Sequence, residues 1–276
     1  MLKFQFFYTK FLFAFVVIAC GCKVRTKQLP GDFIIHYPYA NDSFLVRVTD
    51  LTTNVRAQDT IHFVYYVDAS LKSGKQMEQM IGKYKLALGQ KRYVFVGIAH
   101  FGYFRSKRRR DFISPSLKTE KGFKGRNGNY GQADTFYHLL KNKIAPKAEE
   151  KFSGHPVKRS FIGHSLGGLF ATYLLTNNDS LFSNLYALSP SLWIDDYHIL
   201  DYENLQKSKL MNISKDIWIS CGSAETLNKI RNAVKKMEDT LKARKYPGIS
   251  YSIRVYSGET HNSSVQPALN EIFEGF

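Results

Sequence analysis

Short runs of apolar and β-branched residues alternate along this chain with longer segments whose apolar positions recur at helical spacing. Phe33-Ile34-Ile35-His36-Tyr37 and Ser43 to Val48 (SFLVRV) read as strands on either side of a turn cluster at Pro38 to Asp42, which predicts an antiparallel hairpin or meander at the start. Further strands are predicted at Ile61 to Val67, Arg92 to Ile98, Ser160 to Ile162, Leu185 to Leu188, Ile217 to Cys221 and Tyr251 to Tyr256. Between them the pattern predicts helices at Gly74 to Leu88, Thr135 to Lys151, Leu166 to Asn177 and Leu227 to Lys245. Buried strands alternating with helices signal the α/β class, a largely parallel sheet covered on both faces. Ala99 to Tyr130, rich in Gly, Ser, Lys and Arg, is the most irregular stretch, and a loop that long in a compact domain is usually functional.

The N-terminus follows a different pattern. Lys3 and Lys10 precede an uncharged apolar run, Phe11 to Ala19, too short to cross a bilayer comfortably, so residues 1–19 read as an export signal. Val17-Ile18-Ala19-Cys20 resembles the bacterial lipoprotein box, in which the cysteine is acylated and becomes the new N-terminus; Cys22 after Gly21 is the weaker alternative. The expected protein is exported and held by its lipid on a membrane of a bacterial envelope, facing the periplasm or the cell surface. Residues 20–31 then form a polar tether, and 32–276 one folded domain. Cys221 is the only other cysteine, so the domain has no intramolecular disulfide framework.

Composition narrows the classes. With 44% hydrophobic and 14% aromatic residues among 276, the chain can close a sizeable core, which excludes intrinsic disorder. The formal net charge of +16 suits anionic lipid headgroups or an anionic small substrate. No helix-turn-helix, zinc-finger or RNA-binding signature accompanies it, so no nucleic-acid partner is expected.

The sharpest chemical signal is Gly163-His164-Ser165-Leu166-Gly167, a Gly-x-Ser-x-Gly placed between a strand and an apolar helix. On such a turn the serine takes strained backbone angles and its hydroxyl stands above the sheet, while the glycines let strand and helix approach. The N–H of Leu166, at the helix start, faces the oxygen that becomes negative when an ester carbonyl is attacked. A serine hydroxyl needs a base, and the base needs an acid to orient it. Of the two histidines after Ser165, His261 follows the last strand, whereas His198 precedes the acid candidates after the next strand. Glu225, just beyond Ile217 to Cys221, is the best acid, with a Ser-His dyad lacking a third member as the alternative; Asp216 stands at the wrong end of that strand, and Asp195 and Asp196 are the nearest rivals. The second oxyanion donor is expected after the third strand, at the N–H of Ala69 or Ser70.

These blocks resemble the "Putative esterase" family of α/β-hydrolases, which includes enterochelin-type siderophore esterases and esterase D. Tyr66-Val67-Asp68, Gly97-Ile98, Arg110-Asp111-Phe112-Ile113-Ser114-Pro115, Lys141 to Pro146, Gly163 to Phe170, Ser189-Pro190-Ser191-Leu192-Trp193, Gly222 to Glu225 and Gly258 to Val265 carry the likeness. It implies an α/β-hydrolase fold and an ester hydrolase that needs no metal or cofactor for the chemical step. Ala69 departs from the family's usual glycine, and Lys143 stands near its usual glutamate. By the resemblance, Arg105, Lys107, Arg108, Arg109 and Arg110 border the active site, and Trp193 sits on its substrate side. Guanidinium groups bind planar anionic oxygens in pairs, which would draw a ferric tris-catecholate siderophore to Arg108, Arg109 and Arg110. Acetyl or feruloyl esters of carbohydrates are the alternative substrates, and a non-catalytic, lipid-anchored binding domain is the alternative class.

Overall fold

The computed structural model describes residues 31–38, 42–102, 104–115, 130–177, 180–225 and 229–276. Residues 1–30, on which the expected export signal, Cys20 and most of the expected tether fall, lie outside them. The strands are β1 (Phe33–Tyr37), β2 (Asp42–Asp50), β3 (Ile61–Val67), β4 (Tyr93–His100), β5 (Val157–His164), β6 (Asn184–Leu188), β7 (Lys215–Gly222) and β8 (Ile249–Tyr256). The helices are α1 (Lys72–Lys83), α2 (Lys85–Gln90), α3 (Phe104–Phe112), α4 (Ala133–Leu139), α5 (Ala145–Glu149), α6 (Leu166–Thr176), α7 (Ile194–Leu210), α8 (Lys229–Arg244) and α9 (Val265–Gly275).

One sheet runs in the order β1-β2-β4-β3-β5-β6-β7-β8. The β1–β2 and β2–β4 pairings are antiparallel, and every pairing from β4–β3 to β7–β8 is parallel, as the opening hairpin and the later alternation predict. All eight residues of β4 are buried, because helices cover both faces of the sheet centre. On β8, at the edge, exposed and half-buried residues alternate, since one face there meets water. Phe63, Tyr65 and Val67 of β3 point into the layer beneath α3 to α8, and Val64 and Tyr66 into the layer beneath α1, α2 and α9. Fully burying one such side chain contributes about 1.5–3 kcal/mol. A ring cluster in which Phe44, Phe112 and Phe170 pack on Phe136 and Phe161 packs on Phe170, with centroids 5.1–5.5 Å apart, ties β2, α3, α4, α6 and β5 together.

Helical periodicity identified the covering helices and misjudged their breaks. The segment predicted at Gly74 to Leu88 divides at Tyr84 into α1 and α2. The one predicted at Thr135 to Lys151 contains a π turn at Leu140–Ile144, ahead of Pro146, which has no N–H to continue the ladder. Residues 104–112, expected to be irregular, form α3; its basic residues show no apolar stripe, and partners far away in sequence stabilise it. Residues 116–129 of the same stretch lie outside the described residues. The pattern also passed over α7, which is largely polar and opens with Asp195, Asp196 and Tyr197 at φ of 50°, 55° and 61°, and over α9, which carries Pro267 in its first turn.

The contact between β5 and α6 sets the shape of the site. A Cβ on Gly163 would stand 2.1 Å from the Gly167 carbonyl oxygen, backbone against backbone. Gly163→Ala is therefore expected to lower unfolding free energy by about 3 kcal/mol or more, read as a shifted urea midpoint, because neither atom can rotate away.

Candidate active site

Ser165 joins β5 to α6 at φ 61° and ψ −114°, a conformation that costs a residue with a side chain about 1–3 kcal/mol. Surrounding hydrogen bonds impose it: the Ser165 N–H donates to the Leu188 carbonyl at 2.9 Å, and its own carbonyl accepts from Leu169 and Ser191 at 2.9 and 3.0 Å. The side chain is thereby turned into a cavity of about 250 Å³ lined by residues including Leu71, Lys72, Gln76, Arg108, His261 and Asn262. Its Oγ lies 3.3 Å from Ser191 Oγ. Leu166, as the first residue of α6, has an N–H with no carbonyl one turn back to receive it.

His261 lies between β8 and α9 and faces the same cavity. Its Nδ1 is 3.1 Å from Glu225 Oε2, which leaves Nε2 as the ring's other proton-transfer atom. Glu225 is only 3% exposed, and its Oε1 accepts from the Ser189 hydroxyl at 2.6 Å and from the Gly222 N–H at 2.9 Å. Burial pushes its pKa up, but the hydrogen bonds from His261, Ser189 and Gly222 outweigh that and hold it below the ordinary carboxylate value. The Glu225 carboxylate is thus kept ionised beside the His261 ring. His164 packs under His261 with ring centroids 4.6 Å apart, and its Nε2 is 2.8 Å from the His261 carbonyl oxygen. Burial, assisted by the neighbouring His261 ring, pushes the His164 pKa down to about 3, so it stays neutral and serves as a donor to the His261 loop.

Ser165, His261 and Arg108 thus meet at one cavity, with Glu225 behind His261. His198 lies elsewhere, its Nε2 2.7 Å from the Pro115 carbonyl, and the Asp195 carboxylate accepts from the Tyr130 hydroxyl at 3.0 and 3.1 Å. The Ala69 N–H differs from expectation: it donates to the Ile98 carbonyl at 3.1 Å, extending the β3–β4 ladder by one bond, and so is engaged away from any oxyanion. The N–H of Ser70, in the turn closed by Leu71 N–H to Asp68 carbonyl at 2.8 Å, has no partner among the described residues. The Ser189 to Trp193 motif carries no sign of a role for its serines; the places of Ser191 and Ser189 beside Ser165 and Glu225 follow from β6 ending between β5 and β7.

The basic run is mostly internal scaffold rather than an open rim. Arg110, 4% exposed, grips Asp111 at 2.6 and 2.7 Å and Asp42 at 3.2 Å, and lies over the Tyr37 ring. Asp111 also meets His100 Nε2 at 2.8 Å, and Lys107 reaches Asp42 and the Phe101 carbonyl at 2.6 Å each. Arg110 is therefore not placed to bind substrate. Removing it would strand buried carboxylates, so Arg110→Ala is expected to cost about 3–5 kcal/mol in denaturant unfolding. Arg109 is exposed on α3, and Trp193, 38% exposed at the start of α7, lies 5.2 Å beneath the Lys229 ammonium; neither lines the cavity. Cys221 is buried, and burial pushes its thiol up to about 11; iodoacetamide should leave it unmodified in the folded protein and label it in urea.

Residues 51–276 match the family model described as "Putative esterase". The chain belongs to this family. BesA of Bacillus subtilis (strain 168), a ferri-bacillibactin esterase, is 28% identical over 220 residues, which cover 75% of this chain and 75% of BesA. Among solved structures, the BES protein from Bacillus cereus matches with a TM-score of 0.71 at 19% identity, over 90% of this chain and 97% of that one. Siderophore hydrolase EstA from Aspergillus nidulans matches at 0.70 and 20% identity, over 88% and 92% of the two chains. The fold is that of an α/β-hydrolase, and the protein is a carboxylic ester hydrolase.

Proposed function

We propose that this esterase cleaves the backbone esters of an iron-loaded siderophore through an acyl-enzyme, with Ser165 as nucleophile, His261 as base and Glu225 as the acid that orients it. The observation that carries the mechanism is the Glu225–His261 pair facing the same cavity as Ser165 on its strained turn. The Ser165 hydroxyl rotates from Ser191 toward His261 Nε2, gives up its proton and attacks the ester carbonyl. The N–H groups of Leu166 and Ser70 receive the developing oxyanion. His261 then returns the proton to the departing alcohol, and a water, activated by the same nitrogen, releases the acid and restores Ser165.

The substrate class rests on the likeness to BesA and on charge. A cavity of about 250 Å³ accommodates one arm of a large ester, with the remainder at its mouth. Lys72 lines that cavity and has no ion-pair partner among the described residues, so Lys72, rather than Arg109 or Arg110, meets substrate charge. Ferric tris-catecholate triesters should be hydrolysed with kcat/KM at least about tenfold above neutral aryl esters, and Lys72→Ser should remove most of that preference, about 1 kcal/mol. Equal turnover of the two substrates would rule out the siderophore reading. The export signal and Cys20 lipid are part of the same proposal: a surface-held esterase meets siderophores on their way into the cell. Mass spectrometry of the mature N-terminus should find a diacylglycerol-bearing Cys20; an unmodified terminus would rule out the anchor.

A further inference from the structure

Arg108 is set apart from its basic neighbours by what it holds. Its Nε and Nη2 each donate to one oxygen of the Asp68 carboxylate at 2.8 Å, a bidentate pair, and Nη2 also reaches the His164 carbonyl at 3.4 Å. Asp68 is 3% exposed, at φ 60°, and begins the turn in which the Ser70 N–H has no partner among the described residues. Its carboxylate lies against the first turn of α6, where a Cβ on Gly167 would be 3.6 Å from Oδ2. The guanidinium thus joins three pieces of the site: the turn after β3, the end of β5 just before Ser165, and α3. The last is fixed in turn by Lys107 and Arg110 on Asp42 and Asp111.

We infer that Arg108 is a positioning residue, which through Asp68 holds the turn carrying the Ser70 N–H at a set distance from Ser165 instead of binding substrate charge. The inference rests on Ser165 being the nucleophile. A planar fork anchored on two oxygens resists both sliding and rotation, which a single ammonium does not. The Asp68 backbone, in a conformation that side chains disfavour, needs such an external hold to keep the next N–H groups aimed. Sub-ångström placement of an oxyanion donor is worth about 10²–10³ in rate, so loosening this clamp should act on the transition state.

The test uses the full enzyme with Arg108→Lys, Asp68→Asn and the double variant, assayed on p-nitrophenyl butyrate and on the anionic p-nitrophenyl hemisuccinate. Both single variants should lose about 30- to 100-fold in kcat on both esters, with KM changed less than about threefold. Inhibition by an aryl trifluoromethyl ketone should weaken by the same factor as kcat/KM, while inhibition by butyrate stays unchanged, and the double variant should be no slower than either single one. A rise in KM confined to the anionic ester would show that Arg108 contacts substrate and overturn the inference. So would a lowered Tm with unchanged kcat. Asp68→Asn accepts the positive φ, so it reports even where Arg108→Lys folds poorly. Ser165→Ala in the same assays separates the two levels: activity surviving there refutes the nucleophile, whereas an inactive Ser165→Ala beside a fully active Arg108→Lys refutes only the clamp.

Discussion

Ser165→Gly is expected to abolish ester hydrolysis and at the same time make the protein more stable. Removing Oγ leaves His261 with no hydroxyl to deprotonate, and loss of a catalytic serine costs about 10⁴- to 10⁶-fold in kcat. The stability change has a separate cause. At φ 61° and ψ −114° the Ser165 Cβ is held in a conformation costing about 1–3 kcal/mol, which glycine adopts without strain. Glycine's freer unfolded chain takes back about 0.4–1 kcal/mol, which leaves a net gain of about 1 kcal/mol. Ser165→Ala keeps the Cβ and should lose activity without gaining stability. Hydrolysis of p-nitrophenyl butyrate and urea midpoints of the three proteins check both parts. Activity of Ser165→Gly within tenfold of the parent would refute Ser165 as nucleophile; identical midpoints for the glycine and alanine variants would refute the strain.

Glu225→Gln should be the next most damaging change, because the amide cannot satisfy all its neighbours. The Gly222 N–H is fixed in the backbone and needs an acceptor, so the glutamine oxygen must stay on the side now taken by Oε1, with its NH₂ toward His261 Nδ1. A donor there forces the His261 proton onto Nε2, the atom that has to accept the Ser165 proton. A wrong tautomer of this kind lowers kcat by about 10³–10⁴-fold. Stability should follow pH as well. Since the Glu225 pKa is lowered on folding, its carboxylate stabilises the native state above the ordinary glutamate pKa of about 4.3. That contribution is lost as pH falls through the lowered folded value. Parent and Glu225→Gln should therefore differ in urea midpoint at neutral pH and converge on acidification. A constant difference at every pH would mean that the carboxylate is not the ionised, hydrogen-bonded group described.

The features legible beforehand are those whose physics is local. The Ser165 turn is legible because its flanking glycines and the helix start are encoded within a few consecutive residues, and His261 and Glu225 become candidates because chain order places the strand ends along one edge of the sheet. Ala69 and Ser70 are adjacent and chemically alike in their N–H groups; one added bond to the Ile98 carbonyl separates them, and no local pattern shows where a ladder ends.

Charge was the least legible quantity. Arg108, Lys107 and Arg110 look like a solvent-facing cationic rim in a string of letters, whereas Asp68 and Asp42, 40 to 68 residues distant along the chain, bind them. By itself the sequence determined the α/β class, the strand–Ser165–helix turn and the chain order of Ser165, Glu225 and His261, because periodicity, glycine placement and strand order act over short spans. Only the tertiary structure decided which cations are taken up by carboxylates, which N–H lacks a partner among the described residues and which serines meet Ser165 and Glu225. Those outcomes depend on partners that folding alone brings together.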